Sequence, residues 1–174
     1  MSIITNQPVN NNPLSPLGFK FTVKKTPNVN WFIQSVQLPD ITLPRTDVPS
    51  PFINFPVGGD HLQYGNFSIE FRVDEDMKNY LELYNWINGI GFPDTFDQYK
   101  DLASQPITSG QGIFSDASLI ILNSTFNPNL EVQFIDLFPI ELGRLSFDLR
   151  QQDVKYIDCA ATFGYRKFSM TPLK

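Results

Sequence analysis

One cysteine and one histidine among 174 residues leave this chain short of the side chains that several kinds of chemistry require. Cys159 has no second thiol for an internal disulfide and cannot build a cysteine metal site alone. Any Ser-His-Asp arrangement would turn on His61, and no Gly-x-Ser-x-Gly elbow accompanies it. Charge is scarce as well: Asp, Glu, Lys and Arg make up 18% of the residues, and the formal net charge is −5. That balance excludes a surface that clamps nucleic-acid phosphates, because such surfaces need clustered Lys and Arg. No apolar run approaches twenty residues and no basic-then-apolar leader is seen, which predicts a chain without a membrane anchor. The glycines of "VGGDHLQYG" and of "SGQG" lack the lysine of a phosphate loop and the strand-to-helix order of a dinucleotide loop, so no cofactor is predicted.

What the sequence does hold is sixteen Phe and fourteen Pro, a composition that favours strands and stiff loops over long helices. Phe19, Phe21 and Val23 alternate with polar residues, the period of a strand buried on one face. Phe67, Ile69, Phe71 and Val73 repeat the pattern, as do Leu145, Phe147 and Leu149, and then Ile157, Cys159, Ala161, Phe163 and Tyr165. "NWFIQSVQLP" reads as a second strand ended by Pro39, and "SLIIL" (118–122) as a strand buried on both faces. In "LEVQFIDLFP" the apolar phase shifts between Phe134 and Ile135, as a bulge would produce. A helix is predicted from about Glu75 to Asn88. Met77, Tyr80, Leu81, Tyr84 and Ile87 form its packing stripe, widened by Leu83, Trp86 and Ile90, and Gly89, Gly91 and Pro93 supply its stop. Between strands lies "DITLPRTDVPSPFINFPVGGDHLQYGN", a long Pro-stiffened excursion. The Asn- and Pro-rich residues 1–17 read as a flexible arm preceding a single domain over 18–174.

The acidic triplet Asp74, Glu75 and Asp76 sits where a strand meets the helix. It is read as a corner: Asp74 the helix cap, the other two complementing the positive helix end. His61 beside Asp60 is read as a surface or interface group, and Cys159 as a small buried hydrophobe. Trp31, Trp86 and the tyrosines are read as core or interface aromatics. With no constellation of catalytic groups, the chain is predicted to be an assembly protein and not an enzyme.

The order of three stretches, "SVQLPDITLP", "VGGDHLQYGNFSIEFRVDEDMKNYLELYNWI" and "DLFPIELGRLSFDLRQQDVKYIDCAATFGYR", resembles the tail-tube family of contractile-tailed bacteriophages, which includes tube proteins and tube-initiating baseplate proteins. The resemblance covers most of Phe19 to Phe168. It implies a mainly β fold: a β-sandwich or small barrel of antiparallel strands with one flanking α-helix. It further implies a homo-oligomer of stacked hexameric rings in the virion tail, assembled in the host cytoplasm, with sheath and baseplate proteins as partners. DNA would pass through the channel without specific binding, as an acidic wall would allow. The excursion would be an intersubunit or inter-ring arm, making Pro56, Gly58, Gly59, Asp60, His61 and Tyr64 interface residues. "FRVDEDMKNYLELYNWI" and "ATFGYRKFSM" also resemble the tube-initiating members, so main tube subunit and initiator, or another tube-fold tail protein, both stand. A carbohydrate-binding sandwich using Trp31 or Tyr64 is the alternative from a different class, and an esterase relying on His61 and Asp60 the remote one.

Overall fold

The computed structural model describes residues 11–91, 95–105, 112–150 and 155–173. The predicted arm over 1–17 and the helix stop at Pro93 fall largely outside them. The elements run β1 (Phe19–Val23), α1 (Pro27–Trp31), β2 (Ile33–Gln37), β3 (Ile41–Thr42), β4 (Arg45–Val48), β5 (Phe55–Gly58) and β6 (Gln63–Tyr64). They continue with β7 (Phe67–Arg72), α2 (Lys78–Gly91), α3 (Asp97–Ala103), β8 (Ser115–Leu122), β9 (Pro128–Leu142), β10 (Asp158–Gly164) and β11 (Lys167–Pro172).

An antiparallel sheet of order β1-β8-β9-β10-β7-β2, with β11 also on β9, folds back on itself to enclose the core. The fold-back is made by β9. Its first half pairs with β8 and β11, and its second half with β10. Between the Ala117↔Phe134 and Ser115↔Leu137 pairs β9 carries one extra residue, and Asp136 there adopts a left-handed φ of 56°. This is the bulge that the phase shift predicted, and a bulge bends the strand that holds it. Rings from strands far apart in the sheet order consequently meet: Phe67 of β7 lies 5.2 Å from Phe21 of β1 and 4.4 Å from Phe134 of β9. Phe21, Val23, Ile69, Phe71, Cys159, Ala161 and Phe163 are buried on the alternation read from the sequence, joined by Leu119 and Val132. Of the run 118–122 only Leu119 is fully buried, so β8 covers the core with one face and not two.

Four further sequence readings need correction. The second strand starts at Ile33, because Pro27 opens a short helix that takes up Asn30 and Trp31. Residues 144–149 form no strand: the Gly143 N–H still donates to the Ala160 carbonyl at 2.7 Å, beyond it the chain leaves the ladder, and Phe147 and Leu149 stand exposed with no strand beside them among the described residues. The main helix starts at Lys78, so Asp74 is not its cap. Residues 74–77 instead make a turn in which the Met77 N–H donates to the Asp74 carbonyl at 2.9 Å, with Met77 at φ 55°. The Met77 carbonyl then receives the Leu81 N–H, which opens the helix.

The fourth correction concerns the helix face. Asn79, Leu83, Trp86 and Gly89 are buried, whereas Leu81 and Tyr84 of the predicted stripe are nearly half exposed. Tyr80, Ile87 and Met77 are partly buried. Two polar anchors set this rotation. The Trp86 indole N–H donates to the Ile113 carbonyl at 2.9 Å, and the Lys25 ammonium lies 5.2 Å from the Trp86 ring centre. The buried Asn79 amide donates to the Arg72 carbonyl at 2.8 Å while its oxygen receives the Asp74 N–H at 3.2 Å. An amide in that position closes the strand-to-helix corner that the acidic triplet was expected to close.

Asn79→Leu should therefore cost roughly 2–5 kcal/mol, since it strands two backbone groups in the interior. Asp74→Ala should cost less than about 0.5 kcal/mol, the usual effect at a surface position outside a cap. Chemical denaturation of both variants measures the difference; a cost near 1 kcal/mol for Asp74→Ala would restore the cap.

Candidate functional site

Three surfaces are left uncovered among the described residues. The first is the excursion, which the structure resolves into a two-stranded arm. Its stem pairs Ile41 with Tyr64 and Thr42 with Gln63, and its outer ladder runs from Arg45↔Gly58 to Val48↔Phe55. Strand alternation gathers Val48, Phe55 and Val57 on one face, all about half exposed, and the tip carries Phe52 at 97% exposure and Ile53 at 64%. Two-stranded ribbons are marginal alone, and apolar residues concentrated along one mark a contact surface.

The predicted interface residues divide along this arm. Pro56 and Gly58 lie in its outer ladder and Tyr64 in its stem, while Asp60 and His61 are exposed in the bend between β5 and β6. Gly59 holds the ribbon together: its N–H donates to the Pro44 carbonyl at 2.6 Å, and a Cβ there would stand 2.6 Å from the same oxygen. Tyr64 works at the root. Its ring lies 6.1 Å from Tyr165 and 5.5 Å from Phe168, and the Tyr165 hydroxyl donates to the Gly65 carbonyl at 2.9 Å. Burial first, then the nearby Tyr64 and Asp40, push the Tyr165 phenol up to about 12. The arm is thus braced where it leaves the folded sheet and bare where it ends.

The second surface is the outward face of the layer formed by β2, β7, β10 and the second half of β9. Register places Ser35 beside Glu70, Gln37 beside Ser68, and Arg72 beside Asp158, with Thr162 beside Glu141. Cross-strand bonds hold these side chains close to the sheet: Ser35 to Glu70 at 3.0 Å, Ser68 to Gln37 at 3.3 Å, and Arg72 to Asp158 at 3.2 Å. Glu70, Glu141 and Asp158 share a depression with Arg144, and Arg72 pairs with Asp158 beside it, so three carboxylates face two guanidiniums. The face is polar and net acidic over β2, β7 and β10, with Phe138 and Ile140 lying over Gly164 on its β9 side.

The third surface is the pair of open edges of that same layer. Among the described residues β2 pairs only with β7, and beyond Leu137 β9 pairs only with β10. Unpaired strand edges are templates for another chain. Sequence reading missed both, because an edge is a property of the pairing order and leaves no local signal. Among the described residues no group of three or more His, Cys, Asp or Glu could hold a metal ion, and no helix is long and apolar enough to cross a membrane. Cys159 is buried, with its thiol pushed up chiefly by burial.

No protein-family model matches the chain. In sequence it is 25% identical over 142 residues to the tail tube terminator protein of Enterobacteria phage T4, covering 79% of this chain and 75% of that protein. In fold it is similar to the tube-terminating cap of the anti-feeding prophage, with a TM-score of 0.67, 16% identity and coverage of 99% of this chain and 100% of the other. A chain of the sheath-tube complex of an extracellular contractile injection system, PVC, in its extended state gives a TM-score of 0.65 at 18% identity, covering 99% of this chain and 100% of that one. The structural likenesses show the tube-protein fold. With the sequence match, the resemblance to the contractile-tail tube family is shown.

The root of the arm gives a pH test. Because the folded Tyr165 pKa is raised from 10.0 to about 12, the stability it contributes is complete below pH 10 and is lost as pH rises toward about 12. Thermal midpoints of wild type should fall more steeply than those of Tyr165→Phe across that window. At pH 7 the variant should be less stable by about 0.5–1.5 kcal/mol, the net value of one hydrogen bond. Parallel curves would remove Tyr165 from the root.

Proposed function

We propose that six copies of this chain close into a ring belonging to a contractile-tail tube, and that DNA passes through the ring without specific binding. The observation that carries the reading is the layer with two open edges. β2 and the second half of β9 are different surfaces, so joining them is a heterologous contact, and repeated heterologous contacts form a ring where the rotation between copies closes. Strand directions agree with this: with all arms at one end of the ring, β2 of one copy runs antiparallel to β9 of the next. The continuous sheet would present Glu70, Glu141 and Asp158 to the channel, where an acidic wall repels a polyanion and lets it slide. The arm would reach a neighbouring ring with its apolar tip, and the surface away from the channel would meet the other tail proteins, sheath and baseplate among them.

A second reading is a terminating ring at one end of the tube, favoured by the sequence match to the terminator of phage T4. Both readings share the ring and differ in whether rings stack.

Negative-stain electron microscopy across a concentration series, with solution mass measured alongside, tests both. Six-fold rings with an open channel are expected. Stacked tubes assign the chain to the tube, single rings that never stack assign it to the end, and a monomer at every concentration contradicts the reading. If rings stack, Phe52→Asp should leave the rings intact and shorten or abolish the stacks, since that side chain is 97% exposed in the subunit.

A further inference from the structure

The seam between β1 and β2 is the place where the folded sheet fails to close. β1 pairs only with β8 and β2 only with β7 among the described residues, and the groove between them is lined by Leu17, Phe19, Phe21, Trp31 and Ile33. Two of these stand almost fully in solvent: Trp31 is 86% exposed and Leu17 83%. An indole at the mouth of a groove between two strand edges is an acceptor that none of the described residues fills.

At the opposite edge of the same layer lies a segment with strand character and no strand to pair with. Residues 144–149 alternate Arg144, Ser146 and Asp148 with Leu145, Phe147 and Leu149, yet they follow the last paired residue of β9 and join no ladder. Leu145 is partly buried against the core, whereas Phe147 is 73% exposed and Leu149 fully so. The segment is therefore tethered at its start and bare in its second half.

We infer that residues 144–149 of one copy fill the β1–β2 seam of the next copy, seating Phe147 and Leu149 against Trp31 and Leu17. The inference rests on the ring reading above and extends it. If the second half of β9 meets β2 of the neighbour antiparallel, the chain beyond Leu142 continues toward Phe32 and Trp31 of that neighbour, because β2 runs from Ile33 away from α1. The two apolar patches then meet by continuation of one ladder, with no new direction of approach. Strand addition of this kind draws affinity from main-chain bonds along the edge and specificity from alternate side chains in pockets. It also accounts for the strand periodicity of 144–149, which the single subunit leaves unused.

The full chain carrying the photo-reactive residue p-benzoylphenylalanine in place of Phe147 tests this. A mixture of unlabelled and ¹⁵N-labelled protein is irradiated after assembly, and cross-linked peptides are mapped by mass spectrometry while the same sample is imaged. Mixed-isotope adducts to residues within 17–34 are expected, and Trp31→Asp should lose them while the circular dichroism of the subunit stays unchanged. Rings with adducts elsewhere, or with adducts only within one copy, overturn the inference and leave the ring reading standing. Absence of both rings and intermolecular adducts overturns both.

Discussion

The bend in β9 at Asp136 is the constraint on which the rest of the molecule depends. A fifteen-residue strand kept straight would extend one flat sheet with an apolar face and no cover. The extra residue before Leu137 turns the strand, so its two halves serve opposite layers and Phe67, Phe134 and Phe21 become neighbours. Burial of those rings is the main driving force of the fold. An ion pair between Asp136 and Arg166 at 3.0 Å ties the bend to the junction of β10 and β11, the two strands that follow β9 along its length. That pair is largely exposed and contributes modestly; the geometry is set by the backbone.

The same bend decides what remains open. Because β9 changes partners halfway, its second half has one free side, and because the sheet folds without closing, β1 and β2 face each other across a seam. A monomeric protein protects such edges with charge, proline or a covering loop. Here the edges are bordered by Phe138 and Ile140 on one side and by Trp31 and Leu17 on the other. Together with the bare tip of a braced arm, these open edges are what the proposed ring would cover.

Core strands were legible because one-sided burial leaves a period of two, as at Phe67, Ile69 and Phe71. The bulge was legible for the same reason, since an inserted residue flips that phase. Helix rotation was not: Leu81 and Tyr84 fit a helical stripe as well as Leu83 and Trp86 do, and the choice between them was made by the Trp86 bond to Ile113 and the Asn79 clasp on the preceding turn. The cap failed for a related reason, since a left-handed Met77 delays the helix beyond the acidic triplet. Periodicity at Leu145, Phe147 and Leu149 gave strand where the subunit has none, because the pattern reports what a segment can pair with and not whether the partner lies in the same chain. The arm itself was legible through proline and glycine, which mark its turns; the apolar face formed by Val48, Phe55 and Val57 emerged only once the register was known.

A high-resolution electron cryomicroscopy map of the assembled particle tests the central claim most directly. The account predicts six-fold symmetry, β2 of each copy beside the second half of β9 of the next, and Glu70, Glu141 and Asp158 on the channel wall. A ring in which that layer faces outward, or in which the β2 edge remains bare, would contradict it.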